Sequence, residues 1–213
     1  MKINILLDTE DSFLHDYTED LIKNIKKIGH EVYFFKDHKK IQKGDILFLL
    51  GCKTILKKKH LALNKNNIVV HPSKLPKGRG SAALIWEILK GENEIFITLF
   101  EANEDIDKGD IYLQESIRFN GYELSDEIRR IQALKTMELV LKYVKAHKKL
   151  ISKKQIGKGS YYRKRTIKDS ELNIDKSLRE QFNHLRVVDN KRYPAYFIYN
   201  NNKYILKIFR QED

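Results

Sequence analysis

The residues hardest to explain by packing lie between positions 69 and 114, VVHPSKLPKGRGSAALIWEILKGENEIFITLFEANEDIDKGDIYLQ. A β-rich run, Ile68 to Val70, delivers His71 to a loop held by Pro72 and Pro76 and opened by Gly78 and Gly80. A second strand, Ile95 to Phe100, ends in the acidic turn from Asn103 to Asp110, and Ile111 to Ile117 reads as a third. An imidazole and a carboxylate, His71 and Asp107, therefore each stand where a strand ends, the place where an open α/β sheet presents its chemistry. A neutral imidazole beside a carboxylate can take a proton from an attacking nucleophile and return it to a leaving group. A lone histidine after a strand and an acidic turn before one are also common outside active sites, so position alone leaves both readings open.

The surrounding residues carry more. His71-Pro72-Ser73, Leu75-Pro76, Arg79-Gly80, Trp86, Gly91-Glu92, Thr98 and Asp107-x-Gly109-Asp110-Ile111 together resemble the signature of the folate-dependent formyltransferases, and so does the separation of 36 positions between His71 and Asp107. The resemblance implies an α/β formyltransferase fold, with a Rossmann-like, mostly parallel sheet and helices on both faces, from which this chain departs in an amino-terminal part shortened by one β-α unit. It implies N10-formyltetrahydrofolate as co-substrate, His71 as base or proton donor beside the formyl oxygen, and Asp107 as the group that orients it. Thr54, Ile55 and Leu56 would line the pterin with Ala102, Asn103 and Asp105, although residue types alone allow 54–56 to begin a helix running to about Leu63. Ser73 and Arg79 fall on the substrate side.

One position departs from the pattern. The family places an Asn two residues before the histidine, and here that residue is Val69. Alternate residues of a strand share a face, so a valine there offers a developing oxyanion no donor, and losing one such donor costs on the order of 100-fold in rate. Asn67 has the right parity but lies roughly 7 Å farther back. Either His71, Ser73 or a backbone amide supplies the hydrogen bond, or the chain is a non-catalytic module that binds folate or a sugar nucleotide.

Around this stretch the chain reads as follows. Lys2 to Leu7 is a strand, and Leu14, Tyr17, Leu21, Ile25 and Ile28 recur at helical spacing until Gly29 ends the helix. Glu31 to Phe35 returns as a strand, and Ile46 to Leu50 is a continuous apolar run suited to burial on both faces of a parallel sheet. About three strands fit before the one carrying His71. No Gly-x-Gly-x-x-Gly follows the first strand. A helix from about Ala82 to Lys90 precedes Ile95. A longer one is capped by Ser125 and carries the stripe Ile128, Ile131, Leu134, Met137, Leu141 and Val144.

Composition changes after position 150, which divides the chain into a catalytic domain, 1–150, and a small α+β extension, 151–213, for substrate binding. Residues 153–160 form a polar connection. Beyond it, Arg163, Arg165, Arg186 and Arg192 could clamp a diphosphate and Tyr193 could stack on a base. Arg186, between Leu185 and Val187, is the one whose neighbours aim it inward.

Bulk properties set outer bounds. The 213 residues hold 41 Lys and Arg against 29 Asp and Glu, a net charge of +12, with 41% hydrophobic and 33% charged residues. That describes a folded chain large enough for a substantial core. The lysine runs read as solvated surface, and with no nucleic-acid motif no nucleic-acid partner is expected. Cys52 is the only cysteine, which excludes an internal disulfide and suits the cytoplasm. No membrane segment or leader is expected, nor a metal site, since the seven histidines are scattered. The function expected is formyl transfer to a nucleotide-linked amino-sugar of a surface-glycan route such as pseudaminic acid. Glycinamide ribonucleotide and methionyl-tRNA are rival acceptors, the latter disfavoured by the short carboxyl-terminal part, and a homodimer is allowed for.

Overall fold

The computed structural model of the chain describes residues 1–211. In chain order its elements are β1 (Lys2–Leu6), α1 (His15–Lys27), β2 (Glu31–Phe35), β3 (Gly44–Leu49), α2 (Lys58–Leu61), β4 (Asn64–His71), β5 (Arg79–Gly80) and α3 (Ala83–Leu89). There follow β6 (Glu94–Glu101), β7 (Ile111–Arg118), α4 (Ser125–Ala146), β8 (Tyr161–Tyr162), α5 (Phe182–Arg186), β9 (Ala195–Tyr199) and β10 (Asn202–Leu206). A six-stranded sheet runs β2-β1-β3-β4-β6-β7, parallel from β2 to β4 and antiparallel on either side of β6. This is the predicted mostly parallel α/β sheet.

Ile46 to Leu50 are all buried, as a strand covered on both sides requires. The two sides differ in what covers them. Ile3, Ile5, Ile46, Phe48 and Ile68 pack against α1 and α4 in the larger core. The alternate residues Leu6, Leu47, Leu49 and Val69 meet a smaller cluster of Ile41, Leu56, Leu61 and Ala102, supplied by α2 and irregular segments. His71 shares the parity of Val69, so it stands on the loop-covered side, where irregular backbone can bring several functional groups together.

Two helices differ from the sequence reading. Of the two readings open for 54–56, the helix to Leu63 does not form: only α2 is helical, because Asp8 accepts the backbone N–H of Lys53 at 2.7 Å and of Thr54 at 3.1 Å and holds 51–57 as a loop. In α4 the predicted stripe is displaced in part. Leu134 is 51% exposed, while Ala133, Thr136, Val140 and Tyr143 are buried beside Ile128, Met137 and Val144. The expected cap moves as well, since Ser125 is the first helical residue and Glu127 accepts the N–H of Leu124 at 2.9 Å. Gly29 has φ +86° and closes α1 as expected.

Candidate active site

β4 carries His71 to its last position, opposite Thr98 of β6. The chain then leaves the sheet in the 72–80 loop, which three side chains tie down. Thr98 Oγ1 donates to the Ser73 carbonyl at 2.6 Å, Gln114 Nε2 donates to the Leu75 carbonyl at 3.2 Å, and Ser160 Oγ accepts from Gly78 N at 2.9 Å. The loop ends in β5, which pairs in parallel with β8 and so brings the 151–162 segment against the histidine loop. Gly80 has φ +97°, and a Cβ there would strike the Tyr162 carbonyl, so this crossing admits only glycine.

The second group arrives by another route than the sequence suggested. β6 runs antiparallel to β4, so its carboxyl end heads away from His71 and finishes with Glu101 opposite Ile68. The 102–110 segment turns back over the loop-covered face. Ala102 N donates to the Asn67 carbonyl at 2.6 Å, and five residues later the Asp107 carboxylate lies 3.8 Å from His71. The turn is tight enough that a Cβ on Gly109 would overlap the Glu101 carbonyl oxygen. The site is thus built on one face of the sheet under a folded-back loop, in place of a crevice fed by two adjacent strand ends.

Both side chains are held in place. His71 Nε2 lies 2.8 Å from the Gly78 carbonyl, which can only accept, so Nε2 carries a proton and the lone pair of the neutral ring is on Nδ1. Nδ1 faces Asp107 Oδ2 across 3.8 Å, too long for a hydrogen bond and short enough for an amine N–H to address both. Asp107 Oδ2 accepts from Gly80 N at 2.8 Å, and the Asp107 carbonyl accepts from Arg79 Nε at 3.1 Å and Gln155 Nε2 at 2.8 Å. Asp107 itself has φ +53°, the left-handed region, which costs a non-glycine residue roughly 1 kcal/mol and persists where its surroundings hold it.

Beside this pair the expected cofactor residues fall on two adjoining segments. Leu56 is buried in the smaller cluster with Val69 and Ala102, Thr54 is half-buried, and Ile55 is 54% exposed. Asn103 and Asp105 are exposed on the folded-back loop, which meets the start of α2 where Glu104 accepts Lys58 N at 3.2 Å. Ile55 is thus an exposed apolar side chain beside the buried cluster of Leu56, Val69 and Ala102. Cys52 packs against this cluster, donates to the Leu6 carbonyl at 3.3 Å, and its thiol is pushed up to about 12 by burial and by the Asp8 carboxylate, which makes it a packing residue.

Several substrate-side expectations need correction. Arg79 donates to the Asp107 carbonyl and, through Nη2 at 2.6 Å, to Gln155, so it braces the site in place of reaching into it. Arg186 does point inward, and there it is 0% exposed, bonded to Asn183, Asn93 and Glu123. A buried guanidinium with its own carboxylate has no fork left for a diphosphate. Arg163 and Arg165 converge on Asp169. Arg163 pairs with its carboxyl through both guanidinium nitrogens and holds it well below the usual range. Arg192 is paired with Asp189 at 2.6 Å and with Asp11 at 3.3 Å. The four arginines do not form one cluster. Tyr193 is half exposed, and Ser73 is buried with no partner for its hydroxyl among the described residues. Asn67, the alternative amide donor, turns to the Leu61 carbonyl at 3.1 Å. Gln155 and Ser160 escaped the sequence reading because nothing local in a polar connection tells that it folds back onto residues some 50 to 80 positions earlier.

Residues 12–141, more than half of the chain, match the formyl transferase family. The chain belongs to that family. Among curated members, the methionyl-tRNA formyltransferase of Thermodesulfovibrio yellowstonii is 28% identical over 170 residues, 79% of this chain and 51% of that protein. The chain thus spans about half the length of this relative. Solved formyl transferase folds superpose over nearly all of it. A 4-N formyltransferase from Francisella tularensis gives a TM-score of 0.79 at 24% identity, covering 100% of this chain and 98% of the other. HypX from Aquifex aeolicus in complex with tetrahydrofolic acid gives 0.78 at 19%, covering 98% and 37%.

Proposed function

We propose that the protein transfers the formyl group of N10-formyltetrahydrofolate to a primary amine, and that the amine belongs to a nucleotide-linked amino-sugar. The observation that carries the first part is the meeting of His71 and Asp107 at 3.8 Å, each fixed from behind, one by the Gly78 carbonyl and the other by Gly80 N–H. The folate supplies an electrophilic formyl carbon, and the shelf of Ile55, Leu56 and Ala102 would seat its ring.

The chain's own residues then handle the protons. Nδ1 of His71 takes one from the attacking nitrogen, the nearby Asp107 carboxylate stabilises the resulting imidazolium, and Nδ1 returns the proton to the departing nitrogen. The imidazolium N–H is also the donor that answers for Val69, since it faces the same space. In this reading residues 1–150 carry the chemistry and 151–213 the acceptor side, with 151–162 shared between them. The reaction is placed in the cytoplasm, where Cys52 stays reduced.

The sugar acceptor is supported by the end-to-end overlap with a sugar N-formyltransferase from a Shewanella species, although a methionyl-tRNA formyltransferase from Clostridium thermocellum overlaps nearly as fully. A second acceptor, the amino group of methionyl-tRNA, is favoured by the names of the curated relatives. The experiment is release of tetrahydrofolate with a panel of UDP- and dTDP-linked amino-sugars, glycinamide ribonucleotide and methionyl-tRNA. Turnover with an amino-sugar alone supports the proposal. Turnover with methionyl-tRNA moves the acceptor, and no turnover beside folate-dependent thermal stabilisation makes the chain a binding module.

A further inference from the structure

Asp107 is a non-glycine residue in a left-handed conformation at the tip of a loop that runs back across the sheet. Nothing within 102–110 explains why it stays there. Its carboxylate is engaged by one backbone amide, Gly80 N, and its carbonyl by two side chains, Arg79 and Gln155. Of these, Gln155 makes the most connections. Its Nε2 donates to the Asp107 carbonyl at 2.8 Å and to the Gly109 carbonyl at 2.9 Å, and its Oε1 accepts from Arg79 Nη2 at 2.6 Å. One amide therefore joins three segments: the folded-back loop, the end of the histidine loop, and the 151–160 connection that it belongs to.

That connection is itself anchored on both sides of Gln155. Lys153 and Ile111 exchange backbone hydrogen bonds of 2.8 Å, and Ser160 exchanges bonds with the histidine loop at Pro76, Gly78 and Arg79. Gln155 thus hangs between two fixed points, as a side chain must if it is to hold other groups in place. Its amide also matches its partners, with two N–H donors for two carbonyls and one carbonyl oxygen for a guanidinium. A glutamate would keep the shape and lose both donations.

We infer that Gln155 is a positioning residue of the proposed formyl transfer, holding Asp107 so that its carboxylate faces Nδ1 of His71. It touches neither the amine nor the folate and acts only through Asp107. Displacing a reacting group by about 1 Å can cost on the order of 100-fold in rate, so a residue with no contact to substrate can govern turnover. The inference rests on the proposed reaction for its kinetic consequence. Its structural part can be read without any substrate.

The test uses Gln155→Glu and Gln155→Ala in the full chain. The first readout is amide hydrogen exchange by NMR at three successive residues. Gly80 N–H is held by the Asp107 carboxylate, whereas Arg79 N–H is held by the Ser160 carbonyl and Ser81 N–H by the Tyr162 carbonyl. Exchange at Gly80 should rise at least tenfold in both variants, with Arg79 and Ser81 within threefold of the wild type. Equal rises at all three positions, or none at Gly80, would show Gln155 to be ordinary loop structure and overturn the inference.

The second readout is kinetic. kcat should fall roughly 30-fold or more with KM for the folate within twofold, and in an Asp107→Asn background the same substitutions should cost less than threefold more. An undiminished cost in that background overturns the inference too. Should the wild type turn over no amine at all, the proposed reaction fails while the exchange experiment still decides the role of Gln155.

Discussion

Val69→Asn puts the family's amide two residues before His71, and its effects on rate and on stability oppose each other. Val69 is half-buried, opposite Leu49 of β3 and Phe100 of β6, in the cluster that also holds Leu56 and Ala102. Full burial of a valine side chain contributes about 1.5 to 3 kcal/mol, so a half-buried one loses about 1 kcal/mol when replaced. An amide placed there adds about 1 to 2 kcal/mol for whichever polar atom finds no partner. The sum is a loss of about 2 to 3 kcal/mol, or roughly 5 to 10 °C in melting temperature for a chain of this size. Against this, one more donor aimed at the forming oxyanion raises the rate by up to about 100-fold.

The assay is the initial rate of tetrahydrofolate release at saturating amine and folate, with Val69→Ala as control. The alanine variant loses the same packing and gains no donor, so its kcat stays within a few-fold of the wild type while its stability falls. The asparagine variant should be at least tenfold faster than the alanine variant. If it folds, binds folate and is no faster, then the oxyanion does not form beside residue 69 and the assignment of that face is wrong.

Two further outcomes follow from buried charge. Arg186→Met leaves Glu123 without its buried partner and should cost about 3 to 5 kcal/mol, lowering the melting temperature by roughly 10 °C with KM for the acceptor unchanged; a raised KM with unchanged stability would restore Arg186 to the substrate. Burial lifts the Glu101 carboxyl above its ordinary value of 4.5, opposed by the Asn67 N–H, the Asn66 amide and the Tyr112 hydroxyl. A raised value means that its contribution is full below 4.5 and lost as the pH rises through the folded-state value. The melting temperature of the wild type relative to Glu101→Gln should therefore fall as the pH is raised above about 4.5, and a rise would contradict the burial argument.

What the sequence disclosed and what it hid divide along a physical line. Strands buried on both faces, such as Ile46 to Leu50, announce themselves because every residue must be apolar. His71 and Asp107 stood out through the motif around them, since their places at strand ends left both readings open, and the fold brings the two side chains within 3.8 Å. The route by which Asp107 reaches His71 was not legible, since the direction of β6 depends on pairing with β4 and leaves no mark on its composition. Arg186 shows the same limit from the other side. Its apolar neighbours placed it inward, but that Glu123 and Asn93 meet it there is a fact of tertiary contact. In α4 the error was one of phase, because small Ala133 is buried where Leu134 looked the better core residue.

Transfer of an isotopically labelled formyl group from N10-formyltetrahydrofolate to the amine that the wild type accepts, followed in wild type, His71→Gln and Asp107→Asn, tests the central claim most directly. Folate binding measured on the same samples guards against misfolding. The account predicts labelled product from the wild type, a loss of about 100-fold or more in each variant, and folate affinity within a few-fold throughout. Variants that bind folate and transfer the label at the wild-type rate would contradict it.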